Sequence, residues 1–426
     1  MSFIDYLSPL YYFLMNIFTV ICTVFIKRNK EIILFGSWYG ERFAGNSRFL
    51  FQYLAENKEQ YNFKKVIWVT RSKELYHELQ EMHYEVYMMK SLKSIYYHFK
   101  AGTHAVNVNT ATSRATNEKR YGDILGVLSM GARRLYLNHA AAATKGNRFL
   151  EKGKRNFKDK LIYTVYASLY KLYFFRHWCL MPGGWDKHYY LAASKKNKEG
   201  TVVRTPEASQ TIYVETTFPE LCPCIKYINS EKLLIEKLQK CQKVILYAPT
   251  YRTDARTGFV HPLSDEKFTL FLRQNHYLWL EKLHPGAKAS MRAPCYDPDC
   301  TLELPQQFDL NILMPYIHIL ITDYSSVYQK AIYYDIPLVF YMPDIKGYKQ
   351  YDKSLIPNFF NEITGMKTET PTELIDGIKA ALDENYLLSS RDEYTYLKEL
   401  YFDGRKASYE SYADIAKSFF NGEYNE

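Results

Sequence analysis

Residues 323–326, Asp-Tyr-Ser-Ser, carry the clearest chemical pattern in the chain. They follow the apolar run 317–322, which predicts a buried strand, and they precede residues 326–334, which suit a short helix. Ser325 and Ser326 are therefore expected at a helix N-terminus, where free backbone N–H groups and the helix dipole favour an anion such as phosphate. A serine that only caps the helix would give the same pattern, so the other strand ends decide between the two interpretations.

Two more predicted strands of the second half, at residues 243–248 and 277–283, also end in polar side chains. A threonine and an arginine follow the first strand. A lysine and a histidine close the second, and the next residue, a proline, keeps the histidine extended. A guanidinium can bind phosphate through two N–H groups, and independent capping residues would not need a cation, a histidine and a serine pair at successive strand ends. We predict that one crevice gathers Thr250, Arg252, Lys282, His284, Asp323, Ser325 and Ser326.

The first half of the chain also places a histidine at the end of a predicted strand. Residues 134–138 suit the strand, and His139 follows directly, before four alanines and Lys145. An imidazole there would accept a proton from a substrate hydroxyl near neutral pH. A surface histidine in front of an alanine-rich helix would give the same pattern. His139 and His284 are the two candidate catalytic residues.

Strands and helices alternate along most of the chain, and this alternation predicts the fold class. Apolar runs at 32–36, 65–70 and 104–108 are separated by segments of helical length, and the pattern restarts near residue 243. Such alternation is typical of α/β proteins whose parallel sheet binds ligands at the carboxyl ends of its strands. We predict two Rossmann-like domains that face each other across a cleft. Their predicted limits are residues 31–205 and 206–426, with a polar linker near 190–215.

Residues 9–26 contain no charged side chain and are followed at once by Lys-Arg-Asn-Lys at 27–30. The run barely reaches the length that spans a bilayer, and it lacks the features of a cleaved signal peptide. It is either a buried helix of the first domain or a membrane-attached helix with its basic end in the cytoplasm. The basic cluster and a tyrosine pair favour membrane association of residues 1–30. The basic, aromatic residues 146–185 suit either a membrane-surface helix or a solvated one.

The composition limits the class of partner. A chain of 426 residues is long enough for about two domains. It holds 55 Lys and Arg against 46 Asp and Glu, and the net charge of +9 favours anionic partners such as lipid headgroups or a nucleotide. The sequence shows no nucleic-acid motif and no metal-ligand spacing, so we expect neither nucleic acid nor a metal. Its seven cysteines form no CxxC pair, which fits a reducing cytoplasm.

The chain also carries a series of short motifs in a characteristic order. They are Phe35-Gly36-Ser37 with Gly40 and Asn46, LYAPTYR at 246–252, Leu283-His284-Pro285, ITDYSSV at 321–327, PLVFY at 337–341 and DGRKAS at 403–408. In this combination they resemble the CDP-glycerol glycerophosphotransferase family, which comprises teichoic acid primases and polymerases and their capsule relatives. The similarity covers nearly the whole chain after residue 31.

The resemblance implies a GT-B fold in which the C-terminal half holds the donor nucleotide. It implies transfer of an alditol phosphate, glycerol phosphate first, from a CDP-alditol to a hydroxyl of a lipid-linked or polymeric acceptor, with release of CMP. This reaction would serve teichoic acid or capsular polysaccharide synthesis at the cytoplasmic face of the cell membrane. The CDP-alditol is a substrate, so no cofactor is expected. In the family pattern His139 matches a histidine proposed as the base, and His284 matches a second histidine.

The sequence departs from the family pattern at several positions. That pattern has Trp and Gly around the first histidine, an acidic residue after the Ser-Ser pair, Arg two residues before the second histidine, and a Gly-Tyr-Pro-Arg stretch at the domain junction. The corresponding residues here are Asn138 and Ala140, Lys330, Lys282, and Phe218-Pro219, and Lys145 lies one position further from His139. Two alternatives therefore stay open: a GT-B glycosyltransferase that uses a nucleotide sugar, and a membrane-associated nucleotide-binding scaffold without activity.

Overall fold

Two parallel β-sheets, one in each half of the chain, form the framework of the protein. The unit around the first sheet is called the first lobe below, and the unit around the second sheet is called the second lobe. The computed structural model describes residues 3–107, 122–138, 168–169, 172–180, 188–192, 194–196, 198–199, 212–222, 226–252, 254–284, 287, 289–352, 355 and 359–420.

The first sheet consists of β1 (Asn29–Gly36), β2 (Lys65–Thr70), β3 (Val86–Met88), β4 (Ala101–Val106), β5 (Arg133–Tyr136), β6 (His188–Ala192) and β7 (Ile212–Glu215). Their order is β3-β2-β1-β4-β5-β6-β7, and all neighbouring strands are parallel. Helices of this lobe are α1 (Phe3–Phe25), α2 (Gly45–Glu56), α3 (Lys73–Glu81) and α4 (Leu92–Lys100), with a π-helical segment at Phe175–Leu180. Ile33 and Phe35 enter one core cluster, whereas Ile32 and Leu34 enter another. Burial on both faces explains why β1 is a continuous apolar run.

The second sheet consists of β8 (Lys243–Tyr247), β9 (Tyr277–Glu281), β10 (Thr301–Glu303), β11 (Ile319–Thr322), β12 (Leu338–Tyr341) and β13 (Met366–Thr368). Its order is β10-β9-β8-β11-β12-β13, again all parallel. The remaining helices are α5 (Asn229–Leu238), α6 (Glu266–Gln274), α7 (Tyr328–Tyr333), α8 (Ile345–Tyr351), α9 (Pro371–Ala381), α10 (Tyr386–Ser389), α11 (Arg391–Phe402) and α12 (Tyr409–Phe420). The prediction of an α/β protein with two parallel sheets is confirmed.

The boundary between the two sheets lies later than residue 206. Strand β7 pairs with β6, so Ile212–Glu215 extends the first sheet rather than opening the second domain. The predicted linker at 190–215 is corrected for the same reason, because both of its ends are strands. The apolar part of β7 is only three residues long and follows a polar stretch, and its pairing with β6 identifies it as a strand.

The last helix returns to the first lobe. Tyr412 of α12 stacks on Tyr53 of α2 with ring centroids 5.2 Å apart. Its hydroxyl lies within hydrogen-bond distance of the carbonyl oxygens of Cys222 at 2.6 Å and Pro219 at 2.8 Å, and its one hydrogen is shared between them or donated to one. The C-terminal helix therefore ties the second half of the chain to α2.

Helix α1 packs on the first lobe through its polar residues. Asn16 and Thr19 are fully buried, and they donate to the carbonyl oxygens of Trp178 at 3.0 Å and Val127 at 3.1 Å. Phe18 meets Phe99 of α4 edge-on, with ring centroids 6.0 Å apart. In the described part of the chain no helix has the length and apolar character needed to cross a membrane.

The basic cluster at 27–30 is not a uniform surface patch. The guanidinium of Arg28 turns inward and donates to the carbonyl oxygens of Ala101 at 2.8 Å and Leu128 at 3.0 Å. It also donates to that of His98, in the last turn of α4, at 3.0 Å. Arg28 is thus a structural residue that satisfies carbonyl groups at the end of α4, while Lys27 and Lys30 remain exposed.

Candidate active site at the strand ends

The three predicted strand ends of the second lobe lie side by side. Strands β9, β8 and β11 are neighbours, and backbone hydrogen bonds continue past them from Ala248 N to Ile321 O and from Lys282 N to Tyr247 O, each at 2.9 Å. The sheet order reverses between β8 and β11, and ligands of open α/β sheets bind at such a reversal. The residues that follow these strands therefore share one edge of the sheet, as predicted.

Arg252 has a different role from the one predicted. Its side chain is only 2% exposed and lies between two carboxylates. Nε and one terminal nitrogen donate to Asp344 at 2.7 and 2.9 Å, and the other terminal nitrogen lies 2.8 Å from Asp323. Burial opposes the charge, but these carboxylates raise the pKa of Arg252 above its ordinary value. Arg252 holds the bend after β11 rather than offering a free edge to phosphate, which corrects the sequence prediction.

An aromatic layer completes this structural centre. The Arg252 guanidinium lies 5.2 Å from the ring of Tyr324 and 4.9 Å from that of Tyr348. The two tyrosine rings stack with centroids 4.0 Å apart. Cation–π attraction and the two ion pairs together leave the guanidinium without solvent contact. The bend at 323–326 is therefore held in place by both ion pairs and aromatic contacts.

Asp323 joins the end of β8 to the bend after β11. It is buried, and its Oδ1 accepts from the backbone N–H of Thr250 at 2.8 Å and from that of Tyr324 at 2.5 Å. The hydroxyl of Thr250 is buried and has no hydrogen-bond partner among the described residues. Asp323 is thus a positioning residue, whereas Thr250 offers an unused hydroxyl to a ligand.

Ser325 and Ser326 lie at the mouth of the bend. Both are partly exposed, and the helix that follows begins at Tyr328, two residues later than predicted, and has only six residues. The hydroxyl of Ser325 lies 3.5 Å from the N–H of Val327, which is at most a weak cap. Within the described ranges, neither Ser325 N nor Ser326 N donates to a protein acceptor. Both N–H groups are available to an anion.

His284 and Lys282 follow β9 with contrasting environments. His284 is exposed and stacks on Tyr251, with ring centroids 4.3 Å apart. Lys282 is nearly buried and donates to the carbonyl oxygen of Pro305 at 2.5 Å. Burial, and then the charge of Arg42, lower the pKa of Lys282 to about 7, with Asp309 opposing. Lys282 therefore changes charge within the physiological range.

The first lobe contributes a cation that sequence reasoning missed. The Arg42 guanidinium lies 5.3 Å from the ring of Trp38 and has no hydrogen-bond acceptor in the described part of the chain. Burial lowers the pKa of Arg42, while the carboxylate of Asp309 in the second lobe raises it. Arg42 and Lys282 come from different lobes and share Asp309 as a neighbour. The only sequence signal for Arg42 was its place shortly after the Phe35-Gly36-Ser37 motif.

A carboxylate also organises the first sheet at the point where its strand order reverses, between β1 and β4. Asp123 accepts from Tyr39 N at 2.9 Å and from Asn107 N at 2.8 Å, which joins the ends of β1 and β4. Trp38 and Tyr39 have φ values of +43° and +62°, an unfavourable backbone region for aromatic residues. Strain of this kind is concentrated at ligand sites. No motif in the sequence marks Asp123.

His139 lies outside the described residues, but the strand that leads to it is clear. β5 ends at Tyr136, and the side-chain amide of Asn46 donates to the carbonyl oxygens of Leu137 at 2.8 Å and Asn138 at 3.0 Å. The predicted strand before His139 is confirmed. The catalytic role of His139 stays a prediction.

Comparisons with known proteins agree with this arrangement. Residues 224–410 match the profile of the family described as CDP-Glycerol:Poly(glycerophosphate) glycerophosphotransferase. The chain is 24% identical over 405 residues to the teichoic acid poly(glycerol phosphate) polymerase of Bacillus spizizenii, which covers 91% of this chain and 94% of that protein. It is 31% identical over 163 residues to the teichoic acid glycerol-phosphate primase of the same organism, or 38% of this chain and 41% of the primase.

A solved structure shares the fold. The wall teichoic acid polymerase TagF superimposes with a TM-score of 0.65 at 14% sequence identity, covering 99% of this chain and 98% of that chain. The chain thus spans nearly the whole of the first relative and of this structure, but less than half of the primase. The resemblance drawn from the sequence motifs is confirmed.

The buried Arg252 centre makes a stability prediction. Asp344→Asn would leave Arg252 with one carboxylate in a desolvated site, and we expect it to lower the free energy of unfolding by about 3 kcal/mol. Urea unfolding followed by tryptophan fluorescence measures the change. Asp376→Asn, on an exposed position of α9, is the matched control and should change stability by less than about 0.5 kcal/mol. Equal unfolding midpoints for both variants would contradict the structural role of the centre.

Proposed function

We propose, because residues 224–410 match the CDP-glycerol glycerophosphotransferase family, that this chain transfers glycerol phosphate from CDP-glycerol to a hydroxyl of a lipid-linked or polymeric acceptor. CMP is the second product, and teichoic acid synthesis is the process served. The observation that carries the proposal is the shared edge of β9, β8 and β11, where unused hydrogen-bonding groups and a nearly buried lysine face an arginine from the first lobe. The matched segment 224–410 contains this edge.

The donor diphosphate binds at this edge. The hydroxyl of Thr250 and the N–H groups of Ser325 and Ser326 supply hydrogen bonds, and Lys282 and Arg42 supply charge. The two lobes then have the arrangement of a GT-B fold, with the donor on the second lobe and the acceptor on the first. Protein cations and backbone amides fill the electrostatic role, and CDP-glycerol is a substrate, so the proposal needs no cofactor.

The chemistry is a single displacement at phosphorus. The acceptor oxygen forms a bond to the phosphorus that carries glycerol, and the bond from that phosphorus to the bridging oxygen breaks. CMP leaves with the bridging oxygen and its electron pair, and the hydroxyl proton passes to His139. His284, exposed beside Tyr251, stabilises the charge that develops on the leaving CMP. The same reaction would extend a capsular polymer built from alditol phosphates.

We place the protein at the cytoplasmic face of the cell membrane, and the orientation of α1 supports this. Its polar residues Asn16 and Thr19 face the first lobe, whereas several of its large apolar side chains are exposed. This is the reverse of a water-exposed helix, in which the apolar stripe faces the core. The outward side chains include Leu10, Leu14, Phe18, Ile21, Val24 and Phe25.

A bilayer surface is the partner that fits this face. Leu172, Tyr173 and Phe174 extend the apolar surface, because Phe174 meets Phe13 of α1 at a centroid distance of 6.0 Å. Exposed Lys27 and Lys30 follow the helix and suit anionic headgroups. Attachment here would hold the active site near a lipid-linked acceptor.

The proposed reaction is tested by the nucleotide that is released. Full-length protein with CDP-glycerol and a lipid-linked glycerol phosphate acceptor should release CMP and lengthen the acceptor. His139→Ala and His284→Ala should each lower kcat by about 100-fold or more, because each loses a proton-transfer or charge-stabilising group. His77→Ala, on the exposed surface of α3, is the control. Turnover of a nucleotide sugar with release of a nucleoside diphosphate would contradict the proposal, and so would near-normal rates in both histidine variants.

Lys282 makes a prediction for pH dependence. With a pKa of about 7 it is protonated below pH 7 and loses its charge above it, so kcat/KM for CDP-glycerol should fall as the pH rises through 7. In Lys282→Arg the charge persists, and this fall should disappear. In Arg42→Gln the removal of a neighbouring cation should move the fall to higher pH. Superimposable pH profiles for the three proteins would rule out Lys282 as the titrating group.

The membrane surface is tested with vesicles. Replacing Leu14, Ile21 and Val24 together with Ser should weaken binding to vesicles containing anionic lipid by about 100-fold, since each apolar side chain contributes about 1 kcal/mol or more. Co-sedimentation measures the bound fraction. The control is Leu233→Ser with Leu388→Ser, two equally exposed leucines on other surfaces. Equal binding of the triple variant and the control would remove α1 as the membrane contact.

A further inference from the structure

A buried ion pair joins the donor side of the site to the first lobe. Lys330 lies on α7, four residues after Ser326, and its ammonium is 2.9 Å from a carboxylate oxygen of Glu220. Glu220 belongs to the short 3₁₀ turn Pro219–Leu221 that follows β7. Their side chains are 15% and 1% exposed. The pair therefore couples the element after the Ser-Ser bend to the end of the first sheet.

Hydrogen bonds extend this pair across the junction. Asn311 accepts from Lys330, and its amide donates to Glu220 at 3.2 Å and to Asp309 at 2.6 Å. The second oxygen of Asp309 accepts from Gly45 N, at the start of α2, at 2.7 Å. All of these groups except Lys330 are almost fully buried. Buried charged groups in a connected network resist displacement, because losing one partner leaves another desolvated.

Asn46 transmits the network to the strand that precedes His139. Its side-chain oxygen accepts from Glu220 N at 2.9 Å, and its amide nitrogen donates to the carbonyl oxygens of Leu137 and Asn138. Asn138 has φ +56°, in the left-handed region that asparagine adopts more readily than most residues, and the bond from Asn46 holds it there. One side chain thus sets the distance between the Glu220 turn and the end of β5.

Opposite charges make this contact favourable. Glu220 and Lys330 meet at 2.9 Å, and inverting either charge alone would place two like charges in a largely buried contact.

We propose that Glu220 and Lys330 are an ion-paired positioning pair that sets the strand end before His139 relative to the donor bend at Ser325 and Ser326. The predicted effect on kcat rests on the proposed function, whereas the predicted effect on the structure can be measured without turnover. Neither residue contacts the reacting atoms. Glu220 acts on the end of β5 through Asn46, and Lys330 acts on the Ser-Ser bend through α7.

The test compares single, exchanged and neutral variants of the full-length protein. Glu220→Lys and Lys330→Glu should each lower kcat by about 10-fold or more, because each creates a buried like-charge contact. The double variant with both changes should recover kcat to within about threefold of the original protein. A neutral pair, Glu220→Gln with Lys330→Met, should fold with a similar Tm and yet lower kcat by about 10-fold, with KM for CDP-glycerol little changed.

Hydrogen–deuterium exchange gives a readout that does not need turnover. In the neutral pair, amides of residues 133–138 should exchange about 10-fold faster, while those of β2 should not change. Wild-type kcat together with unchanged exchange in the neutral pair would overturn the proposal, and so would a double exchange variant as impaired as the singles. Absence of CMP release by the original protein would instead refute the proposed function, and the exchange data would still decide the role of the pair.

Discussion

Charged groups buried between the two sheets determine how the two lobes pack, because each is paired with a group across the junction. Arg48 of α2 donates to both carboxylate oxygens of Glu231 at 2.6 and 2.7 Å, with both side chains almost fully buried. Asp309 of the second lobe accepts from the first N–H of α2, and Lys330 binds Glu220 beside that helix. A charge separated from its partner here would stay desolvated, so the two lobes are held at a defined distance.

That constraint also determines which groups remain available to a ligand. In the second lobe Arg252 is paired with both Asp323 and Asp344, so the bend after β11 is stiff and contributes no free positive charge. The groups left over are small: the hydroxyl of Thr250 and two backbone N–H groups of the bend. The free positive charge comes instead from Arg42 and from the lysine after β9, on either side of the junction. The diphosphate of the proposed donor would use both sets at once.

The first lobe links this site to a surface where an acceptor would arrive. Helix α1 buries Asn16 and Thr19 against the first lobe and leaves Leu14, Ile21 and Val24 exposed, and the proposed membrane contact would cover that exposed face. The same lobe carries the strand end before His139, supported by Asn46. In the proposed function the first lobe therefore contacts the membrane and accepts the proton, and the second lobe binds the CDP-glycerol donor.

The sequence by itself determined the class of fold and the sheet edge that carries the polar residues. This was possible because buried parallel strands are continuous apolar runs, and the residue after such a run must lie at the sheet edge. The sequence alone did not determine what each polar residue does there. From the sequence, Arg252 was expected to bind phosphate. In the structure it is paired with Asp344, which lies 92 residues later in the chain. Partners of buried charges are chosen by packing between distant segments, so the roles of Arg252, Arg42 and the Glu220–Lys330 pair were decided only by the tertiary structure.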